Sequence, residues 1–198
     1  MAVPVPWSSL TADEKRTRTL EVADELFARE GVDVPMPTLA HALGVGVGSI
    51  YRQVGTKDDV LAALVITRSQ ALRARFLATL DEPDPWAALA AATHATVDDC
   101  LGDALSQSAW DVAASASAEV RAARAGATDA LARMVRRARD AGALRDDASH
   151  EDLRLVFCAL RELAGIGPEA AHRLAELALR GIRADPLRSE GDQSPGNG

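Results

Sequence analysis

Within the stretch Leu43 to Leu64, LGVGVGSIYRQVGTKDDVLAAL, the residues from Val47 to Val54 combine side chains that can read a nucleic acid. A helix turns about 100° per residue, which puts Val47, Ile50 and Val54 on one side, facing a core, and Arg52 directly opposite. Gly48, Ser49 and Gly55 flank Arg52, and Tyr51 and Gln53 sit on the shoulders. Arginine can hold guanine O6 and N7 with two hydrogen bonds. Serine and glutamine can bond bases or phosphates, and glycine lets a backbone approach closely. Lys57 falls in the first turn of the next helix, where it joins that helix's free N–H groups as a phosphate contact. The candidate DNA contacts from this stretch are Val47, Gly48, Ser49, Tyr51, Arg52, Gln53 and Lys57.

Other chemistries find little support. GVGVG at 44–48 lacks the preceding strand and the wider glycine spacing of a dinucleotide loop. There is no G-x-S-x-G, H-E-x-x-H or P-loop, so no catalytic residues are assigned. Cys100 and Cys158 fit no metal spacing and read as buried core thiols. His94 with Asp98 one helical turn on could hold a metal, but two ligands are not a site. Neither a metal nor a cofactor is expected.

The elements that must position the candidate face are helical. Of the 198 residues, 47% are apolar, many of them alanine, and only 4% are aromatic. Alanine and leucine favour helix, and β-branched or alternating runs are few, so the fold class is all-α. Residues 1–8 look disordered. A first helix starts near Ser9 and carries Leu20, Ala23, Leu26 and Phe27 before Gly31 stops it. A short second helix, TLAHAL, runs to Gly44, where the turn needs positive φ. The two helices and this turn form a helix-turn-helix, clamped by Ala40, Leu43 and Val45. Gly46 offers no side-chain cap to the third helix, roughly Val47 to Val54. Thr56 with Asp59 caps a long fourth helix bearing Leu61, Leu64, Leu72, Phe76 and Leu80. Beyond DEPDP, helical stretches run about 86–101, 106–116, 118–141, 150–164 and 168–184. Three regions are expected: a helix-turn-helix head over 9–56, a larger helical domain over 57–184 and a disordered tail over 185–198.

Charge is the awkward feature. The net charge is −7, and the first sixty residues hold Lys15, Arg16, Arg18, Arg29, Arg52 and Lys57 against nine carboxylates. Phosphate neutralisation dominates non-specific DNA affinity, so any DNA contact here must be concentrated and specific. A helical interaction or adaptor protein without DNA binding is the alternative. No apolar run approaches a membrane span and no signal peptide is apparent, so a cytoplasmic protein is expected.

Arg18, Leu26-Phe27, Gly31, Gly44-Val45, Gly48-Ser49-Ile50-Tyr51, Val54 and Lys57 together resemble the TetR (tetracycline-repressor-like) family over about residues 16–64. Gln53 and Val54 depart from the commoner His-Phe, and Gly46 from the usual capping serine. The resemblance implies a ligand-responsive regulator, a repressor that binds a palindromic operator as a homodimer and is released by a small-molecule effector. It adds Arg18 and Thr38 to the DNA contacts. For the effector pocket it points to Phe76, His94, Val97, Trp110, Met134 and Phe157. Dimerisation through the last two helices would use Leu153, Phe157 and Leu160 of one and Leu174 and Leu177 of the other, with Val156, Leu163, Leu179 and Ile182 on the same apolar sides.

Overall fold

The computed structural model describes residues 6–101, 117–162 and 167–185. Among them the fold is all-α, with eight helices: α1 Ala12–Glu30, α2 Met36–Ala42, α3 Val47–Val54, α4 Lys57–Ala78, α5 Pro85–Cys100, α6 Ala118–Asp140, α7 His150–Glu162 and α8 Pro168–Ile182. The helix expected near 106–116 and the tail over 186–198 lie outside the described residues.

The chain divides into two compact units. The first runs to Gln70 and also takes in the described residues 117–125. Its core forms where the apolar side of α1, with Ala23, Leu26 and Phe27, meets Leu39, Ile50, Val54, Val60 and Leu64. Full burial of such a side chain is worth about 1.5–3 kcal/mol, enough for a few of them to fix three short helices. Thr11 caps α1: its hydroxyl accepts from the Glu14 N–H at 3.3 Å, and its own N–H donates to the Glu14 carboxylate at 2.7 Å. Thr19 is fully buried yet satisfied, donating to the Lys15 carbonyl at 2.7 Å. Arg68 of α4 reaches Asp24 of α1 at 2.8 Å.

Trp7 corrects one expectation. It sits in a 3-10 turn over Trp7–Ser9 and packs, half-buried, against this core, so order begins before residue 8. An indole offers too much apolar surface to stay in water when a groove is within reach.

The second unit comprises residues 71–101 and the described residues from Gly126 onward. Phe76, Leu89, Leu131, Met134, Leu153 and Leu179 make its main core. Pro85 opens α5, and the Asp84 carboxylate caps it by accepting from the N–H groups of Trp86 and Ala87 at 2.9 and 3.0 Å. Arg183 lies over the Trp86 ring, 4.6 Å from its centre. The chain beyond α8 pairs with the turn between α6 and α7: the Arg145 N–H donates to Ile182 and the Ala184 N–H to Ala143, both at 3.0 Å.

Candidate nucleic-acid interface

The first unit holds α3 by its inner side against α1 and α2. Gly44 makes the turn before it at φ 67°, and the Val45 N–H closes the end of α2 on the Ala40 carbonyl at 3.0 Å. Positive φ is strained for any residue with a Cβ, so glycine is the residue this turn demands. Gly55 ends α3 with φ 79° and ψ −145°. No side chain caps the N-terminus at Gly46; a single backbone bond, Ser49 N–H to the Gly46 carbonyl at 2.8 Å, closes the first turn.

Ile50 and Val54 are buried, as the helical spacing predicts, but Val47 is 38% exposed. This corrects the placement of Val47 in the core. Side chains lean toward a helix's N-terminus, so the first residue of α3 projects past the region that packs. The outer face is then continuous: Val47, Gly48, Tyr51 and Arg52 are exposed, with Ser49 and Gln53 half-buried beside them. Arg52 Nη2 donates to Ser49 Oγ at 3.3 Å, so the guanidinium lies along the helix, held by another polar group of the same face. Arg18 on α1 and Thr38 on α2 are both exposed, and Lys57 is half-buried at the start of α4.

One group outside the expected set also matters. Arg16 Nη1 donates to the Gln53 carbonyl at 3.2 Å, tying α1 to the last turn of α3. The spacing of residues within α1 does not tell Arg16 from Arg18, so only the fold could reveal it. The Thr56–Asp59 cap is present as expected: the Thr56 N–H donates to the carboxylate at 2.8 Å and the Asp59 N–H to the hydroxyl at 3.3 Å. The hydrogen bond from the Thr56 hydroxyl, and next that from its N–H, hold the Asp59 carboxyl below its ordinary value. In Glu14 the order is reversed, with the Thr11 N–H lowering the carboxyl most and the hydroxyl second.

Comparison with known proteins decides the family. Residues 20–64 match the family described as bacterial regulatory proteins, tetR family. Residues 84–184, just over half of the chain, match the C-terminal domain of SbtR-like transcriptional regulators. The chain belongs to the TetR family. Over 50 residues it is 42% identical to an HTH-type transcriptional regulator of Staphylococcus aureus strain USA300, a stretch that is 25% of this chain and 27% of that protein. The chain thus matches about a quarter of the length of the curated relatives. Among solved structures it is similar to the TetR transcriptional regulator SCO0520 of Streptomyces coelicolor, with 27% identity, 85% of this chain and 98% of the other covered, and a TM-score of 0.66. SmeT, the repressor of the Stenotrophomonas maltophilia multidrug efflux pump SmeDEF, shares the fold at 23% identity, with 94% and 96% covered and a TM-score of 0.64.

The TetR resemblance also named residues in the second unit. Phe76 and Met134 are buried in its main core, and Val97 lies in a smaller one with Leu160, Ala171 and Ala175. Phe157 is half-buried and touches both clusters. His94 is half-buried and pairs with His172, which no local spacing could have indicated across 78 residues of sequence. Trp110 and Leu163 lie outside the described residues. Among those described, no group of three or more His, Cys, Asp or Glu could hold a metal ion. Cys100 and Cys158 are half-buried and not the fully buried thiols expected.

The residues named for dimerisation differ in exposure. Leu153 and Leu160 are buried inside this chain's own cores. The apolar stripe of α7 packs against α5 and α8, and an amphipathic pattern does not say whose core it fills. Leu174 is half-buried, whereas Leu177 of α8 and Leu155 of α7 are 52% and 62% exposed.

Proposed function

We propose that this TetR-family chain binds double-stranded DNA through the outer face of α3 and regulates transcription, as a repressor released by a small-molecule effector. The observation that carries the reading is the Arg52–Ser49 pair on the solvent side of a short helix whose other side, Ile50 and Val54, is committed to the core. Such a helix can enter the major groove without unpacking. The working form is a homodimer, because each head supplies few cations and two linked heads gain through effective concentration. A two-fold dimer presents two copies of α3 to a palindromic operator, with half-sites about 34–36 Å apart or a multiple. Leu155 and Leu177 are the exposed apolar positions that support an interface through α7 and α8. The effector acts through the second unit, and its effect is bounded by its differential affinity for the two states of the protein. Among the described residues no helix is long and apolar enough to cross a membrane, which accords with work in the cytoplasm.

The test is fluorescence anisotropy with fragments from the protein's own genomic neighbourhood at several salt concentrations. Arg52→Ala is expected to cost about 1–3 kcal/mol on the operator and to relax preference at one base pair per half-site. Lys57→Ala should weaken all sequences alike and reduce the salt slope. Absence of any salt-dependent binding would overturn this reading in favour of a helical adaptor protein.

A further inference from the structure

Helices α5 and α8, packed together in the second unit, share a chain of three titratable side chains. His94 Nδ1 and His172 Nδ1 are 3.1 Å apart, and His172 Nε2 is 2.8 Å from Asp98 Oδ1. The ring centres are 5.3 Å apart and the planes differ by 28°. That separation is close to the Nδ1–Nδ1 distance plus two ring radii. The nitrogens therefore lie nearly on the line between ring centres, and the rings meet edge to edge more than face to face. An N–H on one points straight at the lone pair of the other. A shared metal fits poorly, since bonds of about 2.0–2.1 Å would hold two head-on nitrogens roughly 4 Å apart.

The proton count follows from the geometry. Ionised Asp98 can only accept, so His172 Nε2 must donate. Neutral His172 then has a lone pair at Nδ1, and His94 supplies the Nδ1–H. One further proton is accommodated with both bonds intact, because a single N–H still lies between the rings whichever ring is charged. A second proton leaves an N–H on each Nδ1 and no acceptor, with two positive rings edge to edge. Histidine is the side chain whose charge changes in the physiological range. We propose that His94, His172 and Asp98 form a proton-operated latch that holds α8 to α5 until both rings are protonated.

None of the other described charged groups around the latch is bonded to either ring. On α5, Asp99 is engaged with Arg75 of α4 at 2.6 Å. On α8, Glu169 and Glu176 lie one turn to either side of His172, and Glu176 pairs with Arg180 at 3.1 Å and with Arg173 at 3.8 Å. Helix α7, which packs on both, contributes Val156, Phe157 and Leu160, with the Cys158 thiol near Arg154. Among the described residues, Asp98 is the one carboxylate bonded to the ring pair.

The experiment is amide hydrogen exchange across Pro168–Ile182, corrected for intrinsic rates, between about pH 8 and pH 5. It is run on wild type, His94→Gln and Asp98→Asn. Protection of α8 in the wild type should fall about fourfold or more at the acid end, the repulsion of two unit charges at the 5.3 Å ring separation even at the dielectric constant of water. His94→Gln should abolish that pH dependence, since only one ring can then be charged. Asp98→Asn keeps both rings but removes their counter-charge, so the loss should move to lower pH. A packing role alone would not shift the pH of the transition. Unchanged protection in the wild type, an equal fall in His94→Gln, or no displacement in Asp98→Asn each overturns the latch. None of these measurements involves DNA, so the outcome is independent of the regulatory reading.

Discussion

Replacing Gly48 by alanine should move stability and DNA binding in opposite directions. Gly48 lies in the first turn of α3 with helical neighbours, and an added Cβ would meet nothing within 4 Å. No steric cost opposes the change, and the chain loses the conformational entropy that glycine carries in the unfolded state. A helix interior gains about 0.5–1 kcal/mol from this exchange, and the first turn of a short helix should gain the lower part of that range. At about 2–4 °C per kcal/mol for a chain of this size, the melting temperature should rise by roughly 1–3 °C. On DNA the same methyl group stands on the exposed face between the backbone and the groove, separating groups that must approach to hydrogen-bonding distance. Loss of one or two phosphate or base contacts should weaken operator binding by about tenfold or more. Circular dichroism melts and anisotropy titrations on one preparation measure both effects. A variant that is stabilised yet binds DNA at full strength would show that α3 does not lie close in the groove. A variant that melts lower would mean that the turn around Gly48 is not helical in solution.

Gly55→Ala should do the reverse, because its φ of 79° and ψ of −145° suit glycine and its new Cβ would run into the Asp59 carboxylate. The backbone alone should cost about 1–3 kcal/mol, read as a lower urea midpoint. The caps at Thr11–Glu14 and Thr56–Asp59 make a pH prediction. Both carboxyls are held below their ordinary values of 4.5 and 3.8, so their contribution is complete above those values and is lost as pH falls through the lowered ones. Urea midpoints of wild type and a Glu14→Gln, Asp59→Asn variant, which holds both groups neutral, should therefore differ steadily near neutrality and draw together in acid; a gap that does not narrow there would count against the carboxylate half of the caps. Leu155→Glu with Leu177→Glu should give a monomer by analytical ultracentrifugation that binds DNA poorly while the head stays folded. A dimer with full operator affinity would place the interface elsewhere.

Local features of the chain were legible from its residue types. Gly44 and Gly55 bound α3, and Thr56 with Asp59 opens α4, because glycine conformations and caps are set by neighbours a few residues away. Ile50 and Val54 followed from helical spacing, but Val47 did not, since periodicity ignores where a helix ends. Leu153 and Leu160 illustrate a related point: spacing shows that a face is apolar and leaves open whether the chain or a partner covers it. Arg16 and His172 depend on tertiary neighbours far along the chain, Gln53 and His94, which no local pattern encodes.

The pairing of Ala143 and Arg145 with Ile182 and Ala184 is made by main-chain atoms alone. The Arg145 guanidinium reinforces the junction on the Gly181 carbonyl at 3.1 Å, but the two main-chain bonds themselves do not depend on keeping particular side chains. At Ala184 in particular, related chains can drift through most of the amino-acid alphabet and preserve the tie. Proline is the exception, because it deletes the donor. A saturation library should record Ala184 as indifferent to size and charge and closed to that one residue, a constraint with almost no trace in residue identity.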